Sequence, residues 1–329
     1  MYEKPFHTED LKNNSFVVTG GAGFIGSNIV EYLLKYGAGK VRVLDNFSTG
    51  FRKNIQPFIS NSCFEFIEGD ICDYQTCIDT CQNIDFVIHQ AALGSVPRSV
   101  EFPLNTHASN ATGFLNMLNA AKESKVKRFV YASSSSVYGD SHDLPKTENH
   151  IGRPLSPYAV SKLAGELYAE VFHRIFKMEV IGLRYFNIYG PRQDPSGPYA
   201  AAIPLFMKAL TDNNSPVIFG SGEQTRDFTF VENAVQANIK AVFTKDADVL
   251  GNVFNIAVGE RVSVNELFSI LKKNIGSSVM PNYKEERQGD IKHSLADISK
   301  ANTLLGYFPQ IKIEEGLRIT LDWFKKSNL

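Results

Sequence analysis

The chain has 329 residues, 43% of them hydrophobic, enough for one large domain or two modest ones around a real core. Its 34 Lys and Arg almost balance 35 Asp and Glu, and no basic run stands out, so neither nucleic acid nor a membrane is expected as a partner. No apolar stretch reaches membrane-spanning length, and residues 1–14 are polar and mixed in charge without the apolar core of a signal peptide, so a cytoplasmic protein is expected.

The run Ser15-Phe-Val-Val-Thr19 reads as a buried strand. It leads into Gly20-Gly21-Ala22-Gly23-Phe24-Ile25-Gly26 and then a helical apolar pattern over 27–35. A second strand at 41–44 ends in Asp45. Strand, glycine turn, helix and strand are the context a dinucleotide-binding turn requires: the glycines tighten the turn, and backbone N–H groups meet a pyrophosphate at the helix N-terminus. The spacing Gly20-x-x-Gly23-x-x-Gly26 differs by one residue from the commoner G-x-G-x-x-G. Asp45, about 20 residues on, is placed to accept from ribose hydroxyls and repel a 2′-phosphate, which favours NAD over NADP. Arg42 is expected on the other side of that strand end, while Arg52 and Lys53 leave the NADP alternative open.

The four cysteines, Cys63, Cys72, Cys77 and Cys81, lack zinc-site spacing and read as reduced thiols, with no metal expected. Further strands at 64–67, 86–89 and 128–131 alternate with helical patterns, notably 108–124, and each strand leads into small or polar residues. Such alternation predicts an α/β, Rossmann-type doubly wound parallel sheet with ligands at the carboxyl ends of its strands. After Tyr185 the texture changes, and the loop-rich stretch from Gly190 to Pro198 marks a boundary. The expected division is an NAD-binding domain over 1–186 and a smaller C-terminal α/β substrate domain over 187–329. The chain is expected to recross to the first around 228–258.

Tyr158-Ala-Val-Ser-Lys162 places a tyrosine and a lysine on one helical face, so the ammonium is expected beside the phenol. A free tyrosine has a pKa of about 10 and is a poor base at neutral pH; a neighbouring cation favours the phenolate. The pair alone also reads as an aromatic beside a solvated lysine.

Taken in order on one chain, the glycine turn, the run Ser133-Ser134-Ser135-Ser136 and Tyr158-x-x-x-Lys162 resemble the extended short-chain dehydrogenase/reductases. Within that family the chain is most similar to the UDP-hexose 4-epimerases, especially those acting on UDP-N-acetylglucosamine (UDP-GlcNAc) and UDP-N-acetylgalactosamine (UDP-GalNAc). The residues carrying this likeness are His89 to Ser99, Leu155 to Lys162, Gly182 to Asn187, Arg192 to Pro195 and His293 to Asp297. The resemblance implies Tyr158 as the base at the sugar C4 hydroxyl, Lys162 beside it and Ser134 bonded to the same oxygen. Hydride passes from C4 to NAD and returns to the opposite face of a 4-keto sugar, so NAD is not consumed.

The same resemblance assigns a cofactor shell of Gly20, Gly23, Phe24, Ile25, Gly26, Asp45, Asn46, Asp70, Ile71, Gln90, Ala91, Ala92 and Tyr185, with Tyr158 and Lys162. For the UDP-sugar it implies Gly94, Ser95, Ser134, Ser135, Ser136, Asn187, Ala201, Ala202, Val217, Phe219, Arg226, Arg287, Asp290 and Ser294. Relatives that eliminate or decarboxylate carry an acid next to the catalytic serine or threonine, and none stands at 133–136. Ser294 occupies the position where enzymes restricted to UDP-glucose and UDP-galactose carry a tyrosine, so room for an N-acetyl group is expected. A UDP-glucose or UDP-glucuronate pair stays open, with Arg192 or Arg153 as the partner of a carboxylate. So does a non-catalytic NAD- or nucleotide-sensing protein. Helices at 108–124 and 156–176 imply a homodimer through a four-helix bundle.

Overall fold

The computed structural model describes residues 1–195, 200–286 and 292–327. Seven parallel strands form one sheet: β1 (Ser15–Thr19), β2 (Lys40–Asp45), β3 (Phe64–Glu68), β4 (Phe86–His89), β5 (Arg128–Ser134), β6 (Val180–Tyr185) and β7 (Val253–Ile256). Their spatial order is β7-β6-β5-β4-β1-β2-β3. The order reverses between β1 and β4, which opens a crevice at their carboxyl ends.

The apolar strand runs follow from burial on both faces. In β1, Phe16 and Val18 join one core, with Ile29, Val30 and Leu33 of the Phe24–Lys35 helix and Ala234, Val235 and Ile239 of the Val231–Phe243 helix. Val17, of opposite parity, joins the other, with Phe114, Met117, Leu118, Ala169 and Phe172. A period of two along the strand thus serves two helical layers at once.

The helix expected from residue 108 begins earlier. Pro103 opens a helical segment, residues Ala108–Gly113 form a wider π turn, and Phe114–Glu123 completes it. At that turn buried Asn110 accepts from the Leu93 amide (2.8 Å) and donates to Ser161 Oγ (3.2 Å). Proline at the first helical position needs no amide donor there, which accounts for the earlier start.

A second core draws Tyr189, Ile203, Phe206, Leu210 and Phe230 from the chain after β6, and Leu267, Phe268 and Leu317 from the chain after β7, which itself returns to the edge of the sheet. Buried Asp227 ties this lobe together, accepting from the amides of Val258 (3.0 Å), Gly259 (3.0 Å) and Ala296 (3.4 Å). The four cysteines are free thiols. Among the described residues, no helix is long and apolar enough to cross a membrane.

Candidate active site

Two clefts lie at the carboxyl end of the sheet and share Asn187, Ile188 and Ala200. The larger, of about 510 Å³, is lined by every residue named above for the cofactor shell. The smaller, of about 330 Å³, is lined by Asn187, Ala201, Ala202, Val217, Phe219 and Arg226. Both volumes suit small-molecule ligands.

The glycine turn is shaped by contact. Gly20 has φ +65°, and a side chain there would lie 2.8 Å from the Ala91 amide nitrogen; one on Gly26 would meet the Gly20 carbonyl at 2.2 Å. Gly23 caps the Phe24–Lys35 helix without a side-chain bond. The first amides of that helix thus face the cleft with no intrahelical acceptor, a positive end suited to a pyrophosphate.

Asp45 closes the far side of the turn. One carboxylate oxygen accepts from the Ala22 amide (2.9 Å), the other from the Phe47 amide (2.8 Å). Burial raises its pKa, and the two amides oppose that rise. A carboxylate has about four acceptor sites, so capacity for ribose hydroxyls remains. Arg42 points away, to Glu65 (2.9 Å) and the carbonyl of Thr80 (2.7 Å). Arg52 pairs with Glu68 (2.7 Å) and stacks on Phe47, and neither it nor Lys53 lines the cleft. The residues present therefore fit NAD: a glycine cradle, an uncapped helix end and a carboxylate at the ribose position.

Tyr158 and Lys162 lie on the helix Pro157–Phe176, started by Ser156 capping the Ala159 amide and by Pro157. With Ser134, at the end of β5, they line the larger cleft. Ser134 and Tyr158 are joined by a side-chain hydrogen bond, which lowers the phenol pKa but is outweighed by burial, so the net shift is upward. The ammonium expected beside the phenol lies near its ring but has a backbone acceptor of its own. Lys162 Nζ donates to the Ala132 carbonyl (2.9 Å) and stands 6.0 Å from the Tyr158 ring centre. Its backbone acceptor draws it to the strand end. Burial lowers the Lys162 pKa to about 8, while Glu166 acts to raise it.

Below the site, the Glu166 carboxylate joins three elements. It accepts from Ser133 Oγ (2.5 Å) on β5 and from Arg184 Nε (2.9 Å) and Nη2 (2.8 Å) on β6. Arg184 also donates to the Tyr138 hydroxyl (3.1 Å), which donates to Asn255 Oδ1 on β7 (2.6 Å). Glu166 lies one turn beyond Lys162, a spacing visible in the sequence, but its role was missed because its partners are distant along the chain. Tyr185 is held similarly, donating to Gln90 Oε1 (3.2 Å) and accepting from Asn238 (2.7 Å).

Other expected residues lie elsewhere. Ser135 and Ser136 begin a short 3-10 turn and do not line either cleft; Ser136 donates to Ser134 Oγ (2.9 Å). Ser294 also stands outside both linings, its amide bonded to the Thr225 carbonyl (3.1 Å) beside Arg226. Arg287 and Asp290 lie outside the described residues. Arg192, offered as a partner for a sugar carboxylate, is instead paired with Glu31 (2.5 Å) on the first helix, and Arg153 lines neither cleft. The sequence reading missed Ser48, Thr49, Arg98, Ser109 and Asp194 in the larger cleft and Phe206, Gln224 and Phe228 in the smaller. Of these, Arg98 and Asp194 fall in segments that carry the family likeness.

The NAD dependent epimerase/dehydratase family profile matches residues 16–257. The chain is similar to the structure of a UDP-N-acetylglucosamine 4-epimerase from Methanobrevibacter ruminantium in complex with UDP-N-acetylmuramic acid. The two share 40% identity and a TM-score of 0.90, over 95% of this chain and 98% of that one. It also resembles the UDP-glucose 4-epimerase of Thermotoga maritima with UDP-glucose, at 36% identity and a TM-score of 0.89 over 96% and 100%. A UDP-glucuronic acid 4-epimerase from Bacillus cereus, in complex with UDP-glucuronic acid and NAD, is 36% identical with a TM-score of 0.88 over 95% and 99%. With an NAD-shaped cleft and a Ser, Tyr and Lys set at its inner wall, the chain belongs to the NAD dependent epimerase/dehydratase family and is an enzyme of the UDP-sugar 4-epimerase type.

Proposed function

We propose that the protein interconverts UDP-GlcNAc and UDP-GalNAc by inversion at C4. The observation that carries this reading is the small residues of the two linings: Gly94 and Ser95 in the larger cleft, Ala201 and Ala202 in the smaller, and Ala200 in both. A sugar with an N-acetyl group at C2 must turn between its two hydride steps, and bulky side chains there would block it. Ser294, held beside Arg226, adds no bulk at the position read as a gate. The likeness to the Methanobrevibacter enzyme supports the same substrate class.

Tyr158 takes the proton of the C4 hydroxyl and later returns it, with Ser134 bonded to the reacting oxygen. Lys162, released from the Ala132 carbonyl, supplies positive charge near the phenol. NAD held in the larger cleft would supply a reversible hydride acceptor for C4, so nothing would be consumed. Ser133, the neighbour of Ser134, spends its hydroxyl on Glu166, whose carboxylate is engaged by Arg184. The positions on either side of Ser134 are serines rather than acids, which favours inversion over elimination. The complete Ser, Tyr and Lys set weighs against a purely sensing role.

A uronic-acid pair is the second reading, favoured by Arg98 in the cleft rather than by Arg192. The test is to incubate the purified protein, without added NAD, with acetylated, plain and uronic UDP-sugars and to separate the products. Faster inversion of the acetylated pair supports the proposal; faster turnover of the uronic pair replaces it. No epimer from any of them, even with NAD added, would support the sensor.

The subunits are read as pairing through the segment 96–123 and the helix Pro157–Phe176. These present Leu104 (82% exposed), Val100 (65%), Leu167 (56%) and Val160 (54%), an apolar surface suited to a second copy.

A further inference from the structure

The family profile starts at residue 16, yet the segment before it is built into the molecule. Tyr2 is fully buried and held at φ +60°, a conformation non-glycine residues rarely adopt. Its carbonyl accepts from Lys35 Nζ and from the Tyr36 hydroxyl, both at 2.8 Å. Phe6 stacks on Tyr32 with ring centres 5.2 Å apart, and the Phe6 amide donates to the Tyr32 hydroxyl (2.6 Å). Residues 1–7 thus lie along the outer side of the helix whose first turn forms the cofactor cradle.

The Tyr2 hydroxyl lies 3.1 Å from the Asn28 carbonyl and 3.2 Å from Asn28 Oδ1. The Asn28 amide nitrogen has two donors and both are used: one meets the Phe24 carbonyl (2.9 Å), the other the Pro191 carbonyl (3.1 Å). Phe24 lines the cofactor cleft, and Pro191 precedes Asp194, which lines it too. A hydroxyl donor facing Oδ1 fixes which end of the amide points at the loop. Arg192, at φ +73°, fastens the same loop to the same helix through Ser27 O (3.2 Å) and Glu31 (2.5 Å). Two backbone positions in a costly conformation, 190 residues apart, are locked onto one helix.

We infer that residues 1–7 act as a strap in which Tyr2, through Asn28, holds the 190–195 loop against the cradle and slows release of NAD. Tyr2 is a positioning residue and touches no reacting atom. The proposal rests on the cofactor cleft alone and stands whichever sugar is turned over.

The test compares wild type, Tyr2→Phe and a chain lacking residues 2–7, each loaded with NAD. Released NAD is trapped with alcohol dehydrogenase and ethanol and read as absorbance at 340 nm, with no UDP-sugar present. Tyr2→Phe is expected to speed release roughly three- to tenfold, the factor that loss of one buried hydrogen bond corresponds to, with the melting temperature of the NAD-free protein lowered by no more than about 2 °C. The shortened chain should release faster still. Release at the wild-type rate from Tyr2→Phe would overturn the proposal whether or not the shortened chain folds. So would the same increase in release from Tyr307→Phe, which gives up a buried hydrogen bond to the Ala257 carbonyl away from the strap and would assign the effect to general loss of stability.

Discussion

Glu166 and Arg184 offer a direct test of what holds the Tyr158–Lys162 helix over the sheet. Both side chains are buried, at 7% and 4% exposure, and the carboxylate accepts two bonds from the guanidinium and one from Ser133. Glu166→Ala leaves the guanidinium in the interior without its counter-charge, a change that costs about 3–5 kcal/mol. The unfolding entropy of a 329-residue chain, at about 2.1 cal/mol/K per residue, is about 0.7 kcal/mol/K. The melting temperature should therefore fall by roughly 4–7 °C. The double variant Glu166→Leu with Arg184→Met removes both charges and should recover most of that loss, because apolar groups of similar volume replace a buried pair at little cost. Calorimetry on Glu166→Leu, Arg184→Met and the double variant closes the cycle. A fall of less than about 1 °C for Glu166→Ala, or losses for the two singles that simply add to within about 0.5 kcal/mol, would refute the account.

Tyr158→Phe should lower kcat by about 10²- to 10⁴-fold, the range of a general base, while NAD content stays at the wild-type level; inversion at full speed would remove Tyr158 from the mechanism. Ser294→Tyr should depress turnover of the acetylated pair and spare UDP-glucose, and equal losses on both would count against the gate. Burial lowers the His89 pKa to about 3, so an unfolded chain takes up a proton below about 6.5 that the folded one does not. Its contribution is intact above that pH and is lost at up to about 1.4 kcal/mol per unit as pH falls toward 3. Burial raises the Asp227 pKa to about 6, and its effect has the opposite sign as pH falls from there toward about 3.9. The measurement is therefore the stability of wild type minus His89→Asn in urea, which should fall between pH 7 and 5; a constant difference would contradict it. Leu104→Glu with Leu167→Glu should yield monomers by light scattering, and an unchanged mass would place any subunit contact elsewhere.

Most of the sheet was legible because its signals are local. An apolar run closed by Gly20 and Gly23, or by a small-residue cluster such as 133–136, declares a strand and its ligand end at once. A helical pattern over 232–243 and an apolar run over 253–256 are legible for the same reason, and they correspond to the Val231–Phe243 helix and β7. What was hidden depends on distance along the chain. Nothing near Arg192 announces Glu31, 161 residues away, and the polar look of residues 1–14 conceals a buried tyrosine. The bond from Lys162 to the Ala132 carbonyl was hidden because helical spacing places a side chain on a face without saying which carbonyl claims its ammonium. The π turn at Ala108–Gly113 has no compositional mark; it accompanies Asn110 reaching both Leu93 and Ser161.

Asp45 has a bearing on attempts to retune the enzyme for a phosphorylated dinucleotide. The natural move is to exchange the acid for a small neutral or basic residue, but here both oxygens also brace the loop amides of Ala22 and Phe47. The exchange would leave two inward-facing amides unanswered and slacken the very bend that seats the diphosphate. Cofactor choice and cofactor grip are thus vested in one side chain, and a useful redesign has to supply a substitute acceptor for the Ala22 amide before it touches the ribose end.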